Sequence, residues 1–169
     1  ESITRLLDMG MDPFNFADAL LGILAQRLAK KLCDCKESYA PAPDEIKTFL
    51  AEYAEELRHS AAWKADPGGE AQMLYESWVK AYGQDDKLKF YRTVGCEKCN
   101  KTGYKGRIGL HELLIADDSV KKLIQERARV AEIFAAAVEG GMRTLKMDGM
   151  EKIMMGMTDL KQVRSVCIK

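Results

Sequence analysis

Five cysteines set the chemical question, because four of them fall in two close pairs. Cys96 and Cys99 are separated by two residues, a spacing that lets two thiolates leave one tight turn toward a common centre. Asn100 and Gly103 beyond them supply the positive φ that such a knuckle demands. Cys33 and Cys35 are the other close pair. Together the four would close a structural zinc site, since soft thiolates in a tetrahedron select zinc. The single residue between Cys33 and Cys35 makes a tight chelate loop, so the competing reading is a degenerate site with weakened or lost metal. The long loop between the pairs is no obstacle, because closure cost grows only as about (3/2)RT ln n. An odd cysteine count in this pattern suits metal ligation in a reducing compartment better than a disulfide framework, with Cys167 as a small buried residue of the last helix.

Around the second pair, Lys98, Lys101, Lys105 and Arg107 form a basic patch with Tyr104 interleaved. The default for such a patch is a solvated face; the functional alternative is a grip on phosphate. His59 and His111 stand alone and suit structural roles, with His111 the reserve ligand because it follows the knuckle. Met142, Met147, Met150, Met154, Met155 and Met157 recur at helical spacing and read as core packing rather than an adaptable binding surface. There is no Gly-x-x-x-x-Gly-Lys-Ser/Thr loop, no Gly-x-Ser-x-Gly and no His-Glu-x-x-His, so the chain holds no self-sufficient active site. A thiol redox enzyme built on Cys96 and Cys99 needs a depressed thiolate and a thioredoxin-like βαβ context, and the flanking sequence shows neither.

The elements that must position these residues follow from composition and periodicity. At 169 residues, with 47% hydrophobic and 31% charged, the chain can bury a core for one ordinary domain or two small ones. Lys plus Arg equal Asp plus Glu at 26 each, which gives no overall bias toward nucleic acid. No apolar run reaches the roughly 20 residues of a membrane span and no secretory leader is visible, so a cytosolic protein is predicted. The chain opens on Glu1 and its first residues read as the middle of something, which predicts a piece of a longer protein.

Ile3, Leu6 and Leu7 give a short helix stopping at Gly10, and Asp12-Pro13 opens a second that runs to Gly22. Residues 23–32 fit a buried strand better than a helix. Asp44 caps a helix with Ile46, Phe49, Leu50, Tyr53 and Leu57 on its apolar side and Glu52, Glu55 and Glu56 on its solvated side, ending by the Asp66-Pro67-Gly68-Gly69 turn. Another helix carries Met73, Leu74, Trp78 and Val79 to Gly83. These two helices, within residues 44–86, hold no cluster of ligands and read as a packing or docking insertion. Residues 88–94 read as a strand into Cys96, with 104–115 returning as its hairpin partner. Helices then open at Asp117, near Val130, at Thr144 and after Thr158 as the last cap. The predicted class is α+β, mostly helical.

Several stretches, taken together, resemble the secretion ATPase superfamily that powers type II secretion and type IV pilus extension. Ile3-Thr4-Arg5-Leu6-Leu7-Asp8-Met9-Gly10 with Asp12-Pro13-Phe14 resembles the segment after the family's histidine box. Gly22, Ala25, Gln26, Arg27 and Leu28, running on to Cys33, resemble its Gly-x-x-Ala-Gln-Arg-Leu strand at the end of the RecA-like motor core. Gly95 through Gly109, with Glu112-Leu113, resembles the second half of its tetracysteine subdomain, and Met142-Arg143-Thr144-Leu145, Asp148-Gly149 and Gly156-Met157-Thr158 resemble its closing helices. Two departures stand out: the one-residue spacer of Cys33 and Cys35, and an insertion over about 44–86 that reads as longer than usual.

The resemblance implies residues 1–32 as the edge of the RecA-like core, 33–115 as the tetracysteine zinc module with its β-hairpin and helical insertion, and 116–169 as a C-terminal helical bundle. It implies a homo-hexameric ATPase, peripheral at the cytoplasmic face of the inner membrane, using ATP and Mg2+ and working with a membrane platform and cytoplasmic adaptor proteins, not nucleic acid. The nucleotide-binding motifs would precede Glu1, so this stretch alone would not hydrolyse ATP. Arg107, with Arg27 second, is the residue the resemblance offers to nucleotide across a subunit interface, where a guanidinium can stabilise charge developing on phosphates. The competing reading is a free-standing zinc-binding module gripping nucleic acid or protein through the basic knuckle.

Overall fold

In residues 2–167, which the computed structural model describes, the chain opens with α1 (Ser2–Asp8), α2 (Pro13–Ala19), β1 (Gly22–Leu32) and β2 (Glu37–Tyr39). It continues through α3 (Pro43–Leu57), α4 (Ala61–Ala65), α5 (Pro67–Tyr82), β3 (Phe90–Arg92) and a 3-10 turn (Glu97–Cys99). It closes with β4 (Tyr104–Ile115), α6 (Asp118–Gln125), α7 (Val130–Glu139), α8 (Leu145–Met154) and α9 (Leu160–Val166). The class is α+β and mostly helical, and residues 23–32 form the strand that was predicted.

The pairing of strands differs from the predicted hairpin. β4 runs antiparallel to β1, with Gly22 opposite Ile115 and Leu32 opposite Tyr104, while β3 pairs with β2, Tyr39 facing Phe90. β1 offers eleven residues of ladder where β3 offers three. The knuckle also delivers the chain already aligned with β1, because the Cys33 N–H donates to the Gly103 carbonyl at 2.9 Å. Strand alternation then turns Ile23, Ala25 and Ala29 of β1 and Ile108, Leu110 and Leu114 of β4 to one face, the core face. The opposite face carries Leu24, Gln26, Leu28 and Lys30 across from Leu113, His111, Gly109 and Arg107.

Two cores flank the ribbon. The first gathers Phe49 and Tyr53 of α3, Trp78 of α5, Leu110 of β4, Met150 of α8 and Val163 of α9. Its aromatics meet edge to face, Tyr53 to Trp78 at 4.9 Å and Phe49 to Trp78 at 5.6 Å. The helices between the cysteine pairs are therefore packing elements. The second core joins Ile3 and Leu7 of α1, Phe16 of α2, Val120 and Ile124 of α6 and Ile133 of α7. Met142, Met147, Met150 and Met154 are buried as core, whereas Met155 is exposed.

Helix boundaries obey capping chemistry more closely than the expected breaks. Asp66-Pro67-Gly68-Gly69 is a helix start, not a stop: Asp66 accepts the Gly69 N–H at 2.9 Å and Pro67 takes the first helical position of α5. α2 ends at Ala19 because the chain turns extended at Leu20. The cap of α9 is Asp159, which accepts the Gln162 N–H at 2.9 Å, while Thr158 is buried and donates its hydroxyl to the Lys30 carbonyl at 2.9 Å. Cys167 lies just past α9 and is half-buried. Glu52 and Glu56, read as solvated, are largely buried, and Glu52 is gripped by Lys146 and Arg164. Among the described residues no helix is long and apolar enough to cross a membrane.

Candidate metal centre and the cationic end of the ribbon

β1 leads directly into Cys33, and the 3-10 turn before β4 carries Cys99, so the ribbon's own pairing brings the two cysteine turns together. The sulfurs of Cys33 and Cys96 are 3.9 Å apart, those of Cys35 and Cys99 4.0 Å and those of Cys96 and Cys99 3.8 Å, with all four within 4.8 Å of one another. A zinc–sulfur bond of about 2.3 Å in a regular tetrahedron sets sulfurs about 3.8 Å apart. Three of the cluster's six edges lie close to that length, and the four thiols are free. The one-residue spacer between Cys33 and Cys35 does not keep either thiol out of it. His111, the reserve ligand, lies outside the cluster, and His59 is an exposed surface residue that accepts from Arg58 at 3.1 Å.

The turn around Cys96 depends on backbone that ordinary side chains avoid. Asn100 and Lys101 take φ of 51° and 60°, and Gly103 has φ of 79° with Thr93 so close that an added Cβ would lie 2.4 Å from the Thr93 Cβ. This geometry aims two backbone N–H groups at one sulfur: Cys96 N–H donates to Cys99 Sγ at 3.2 Å and Gly103 N–H at 3.3 Å. The Cys96 N–H leads in holding the Cys99 thiol down to about 6, with Gly103 adding, against burial. At Cys35 burial pushes the thiol up to about 12, and the neighbouring sulfurs add to the rise. One thiolate is thus prepared by the backbone, while ionising Cys35 calls for a cation at the centre of the cluster, and four sulfurs placed in this way are the donor set zinc takes.

Strand alternation separates the two arginines. Arg107 stands on the outer face opposite Lys30, and Arg27 stands on the other face opposite Leu110, lining a cleft of about 1030 Å³ with Ile23, Glu112, Phe134 and Lys146. They do not meet at one point. Of the basic patch, Lys101 pairs with Glu97 at 3.8 Å, while Lys98, Lys105 and Arg107 are exposed.

Three functional-looking contacts had no warning in the sequence because their partners are remote. The His111 N–H donates to Asp148 Oδ2 at 2.8 Å, Lys152 Nζ donates to the Gly109 carbonyl at 2.8 Å, and the Leu145 N–H donates to Glu112 Oε2 at 3.1 Å. These stitch α8 along β4. Lys30 facing Arg107 was equally hidden, since that pairing depends on β4 lying beside β1.

A long two-stranded ribbon with four clustered cysteines at one end and a closing helix hydrogen-bonded beside it defines the structural class. The chain belongs to the family described as type II/IV secretion system protein, which matches over residues 1–165. It is similar to the type IV pilus assembly ATPase PilB of Thermus thermophilus, 35% identical over 164 residues that make up 96% of this chain and 15% of that protein. It is also similar to the type II secretion system ATPase E of Vibrio cholerae, 34% identical over 166 residues, 98% of this chain and 27% of the relative. The type IV pilus assembly ATPase PilB of Pseudomonas aeruginosa is 33% identical over 170 residues, 98% of this chain and 24% of the relative. The chain therefore spans under a third of the length of these relatives.

Proposed function

We propose that this chain is the C-terminal zinc-binding region of a hexameric motor ATPase that couples hydrolysis of ATP with Mg2+ to protein export or pilus assembly. The observation that carries the reading is the four-cysteine cluster, in a chain of this family, at the end of a strand that leads directly into Cys33. Residues 1–32 then complete the edge of a RecA-like core, 33–115 form the metal module with its helices, and 116–169 supply closing helices. Zinc held by Cys33, Cys35, Cys96 and Cys99 supplies charge neutralisation and a rigid tie between the two turns. Arg107 and Arg27 are the candidate nucleotide contacts, and since they face opposite ways, Arg107 serves a nucleotide approaching the outer face while Arg27 answers to the cleft. The assembly would be peripheral at the cytoplasmic face of the inner membrane, working with a platform and adaptor proteins.

Elemental mass spectrometry of the purified chain, with thermal unfolding before and after chelation, tests the metal. One zinc per chain and a large drop in melting temperature on chelation are expected; no metal and no chelator effect would remove zinc from the account. In the full-length protein, Arg107→Ala is expected to leave metal content intact and lower ATPase turnover on the order of a hundredfold or more, the range of a lost transition-state charge contact. Unchanged turnover in assembled hexamers would take Arg107 out of the mechanism.

A further inference from the structure

The turn that carries Cys33 and Cys35 is held at its flanks as well as at its thiols. Its sulfurs lie 3.9 and 4.0 Å from those of Cys96 and Cys99, while the residues that bracket it reach the corner between α8 and α9. Leu32, just before Cys33, donates its N–H to the Met157 carbonyl at 2.9 Å, and Lys36, just after Cys35, donates from Nζ to the Gly156 carbonyl. Consecutive carbonyls of one corner are thus taken by the two flanks of one cysteine turn. Thr158 adds its buried hydroxyl, which donates to the Lys30 carbonyl at 2.9 Å. From the strand that leaves the other cysteine turn, Tyr104 donates its hydroxyl at 2.5 Å to Asp159 Oδ2, and Asp159 is the cap of α9.

The corner is shaped to receive these contacts. Gly156 is buried with φ of 73°, and a Cβ on it would lie 2.8 Å from Tyr91 Cε2 and 3.0 Å from Cδ2 and Cζ. Lys36 Nζ stands 5.1 Å from the centre of the same ring, so its ammonium is bounded by a carbonyl and an aromatic face. Lys36 is half-buried, and among the described residues it has no carboxylate partner, which makes the Gly156 carbonyl its anchor. The four clustered thiols are free, so no disulfide closes one cysteine turn on the other.

We propose that the metal centre and the α8–α9 corner are coupled through the Cys33–Cys35 turn, with Lys36 as its positioning residue. Closing the four thiols on a cation fixes Leu32 and Lys36 where they hold Met157 and Gly156, and the corner in turn pre-sets the cysteine turn for the metal. The coupling presupposes zinc at the cluster, as proposed above. It is reciprocal: whatever loosens the corner weakens metal binding by the factor by which metal loss loosens the corner. Groups outside the ligands that fix ligand orientation contribute about ten- to hundredfold to metal affinity. A turn with one residue between its cysteines takes its orientation from such flanking contacts, and here they come from the closing helices.

The test is the zinc affinity of the 169-residue chain, by competition with a chromophoric chelator, together with amide hydrogen exchange of the zinc-loaded and zinc-free protein. Removing zinc should speed exchange at the Gly156, Met157 and Gln162 amides, while α6 and α7 in the second core keep their rates. Lys36→Met, which retains the stem beside Tyr91 and loses the donor, should weaken zinc about tenfold and speed exchange at the same amides with zinc bound. Lys36→Arg should restore both. Thr158→Val, on the corner rather than the cysteine turn, should also weaken zinc. Zinc bound equally well by Lys36→Met or by Thr158→Val, or corner amides indifferent to zinc removal, would overturn the coupling and leave the zinc reading standing. Faster exchange in α6 and α7 alike would show general loosening and overturn it too. A parent chain that binds no zinc would end both the zinc reading and the coupling.

Discussion

Glu52 was read as one of three carboxylates on a solvated helix side, yet Arg164 Nη2 donates to it at 2.7 Å and Lys146 Nζ lies 3.1 Å away. The Arg164 hydrogen bonds lead in holding its carboxyl below the usual range, against burial, and Lys146 adds. A carboxyl depressed in the fold contributes stability that is complete above its ordinary unfolded pKa and is lost as pH falls through the folded value. Glu52→Gln is therefore expected to cost about 1–2 kcal/mol near pH 7, and the gap from the parent chain to shrink on acidification, read by urea unfolding at pH 7 and pH 3. An equal gap at both values would mean that the charge is not what matters. The cysteines were legible because their chemistry lies in short spacing. Glu52 was not, because periodicity assigns a residue to a side of its helix and is silent about a partner 112 positions away. The lowered Cys99 thiol was hidden for a related reason: it comes from backbone N–H groups aimed by positive-φ turns, a property of conformation rather than of neighbouring residue types.

At the scale of elements, α8 shows how close packing decides a residue that propensity would change. A Cβ on Gly149 would lie 2.8 Å from Val163 Cγ1 and 3.1 Å from Leu110 Cδ1, where α8 crosses α9 and β4. Alanine is about 1 kcal/mol better than glycine inside a helix. Overpacking at this crossing is expected to outweigh that, so Gly149→Ala should be net destabilising by about 1–2 kcal/mol. A chemical denaturation midpoint equal to or above that of the parent chain would show that the crossing has room to relax. Strand 23–32 was readable from its apolar run, as were most helices from their caps and spacing. Strand partners were not, because alternation says that two faces exist without saying which strand lies alongside; that was settled by the cysteine turns, which bring Cys33 against Gly103 and so start β4 on β1.

For the whole molecule, the ribbon reaches both cores, with Ile23 and Leu114 packed on the second and Ala29 and Leu110 in the first, and α3 joins them through Leu57. Its outer face is open, with Leu24 63% and Leu28 51% exposed beside Leu113 and Ile115. A strand pair that is apolar on both sides is built to be covered on both. The 169-residue chain is accordingly expected to self-associate through this face, and Leu24→Gln with Leu28→Gln to restore a monomer in sedimentation velocity. An unchanged sedimentation coefficient in the double variant would place the contact elsewhere. How the closing helices divide, α6 and α7 with one core and α8 and α9 with the other, was beyond sequence reasoning, since all four carry similar apolar stripes.

The stitching of α8 to β4 has a mechanical consequence. Eleven residues of β1 span about 36 Å at the usual rise per residue. Along one short stretch, Gly109 to Glu112, β4 is fastened to α8 through Asp148, Lys152 and Glu112, so neither can slide past the other there without breaking three hydrogen bonds at once. Helix and mid-ribbon are therefore expected to move as one body, with the cysteine turns beyond one end of the fastened stretch and the packing around Ile23 beyond the other. A push on the cysteine end is then expected to reach the α1–α2 end as rotation about the fastened stretch.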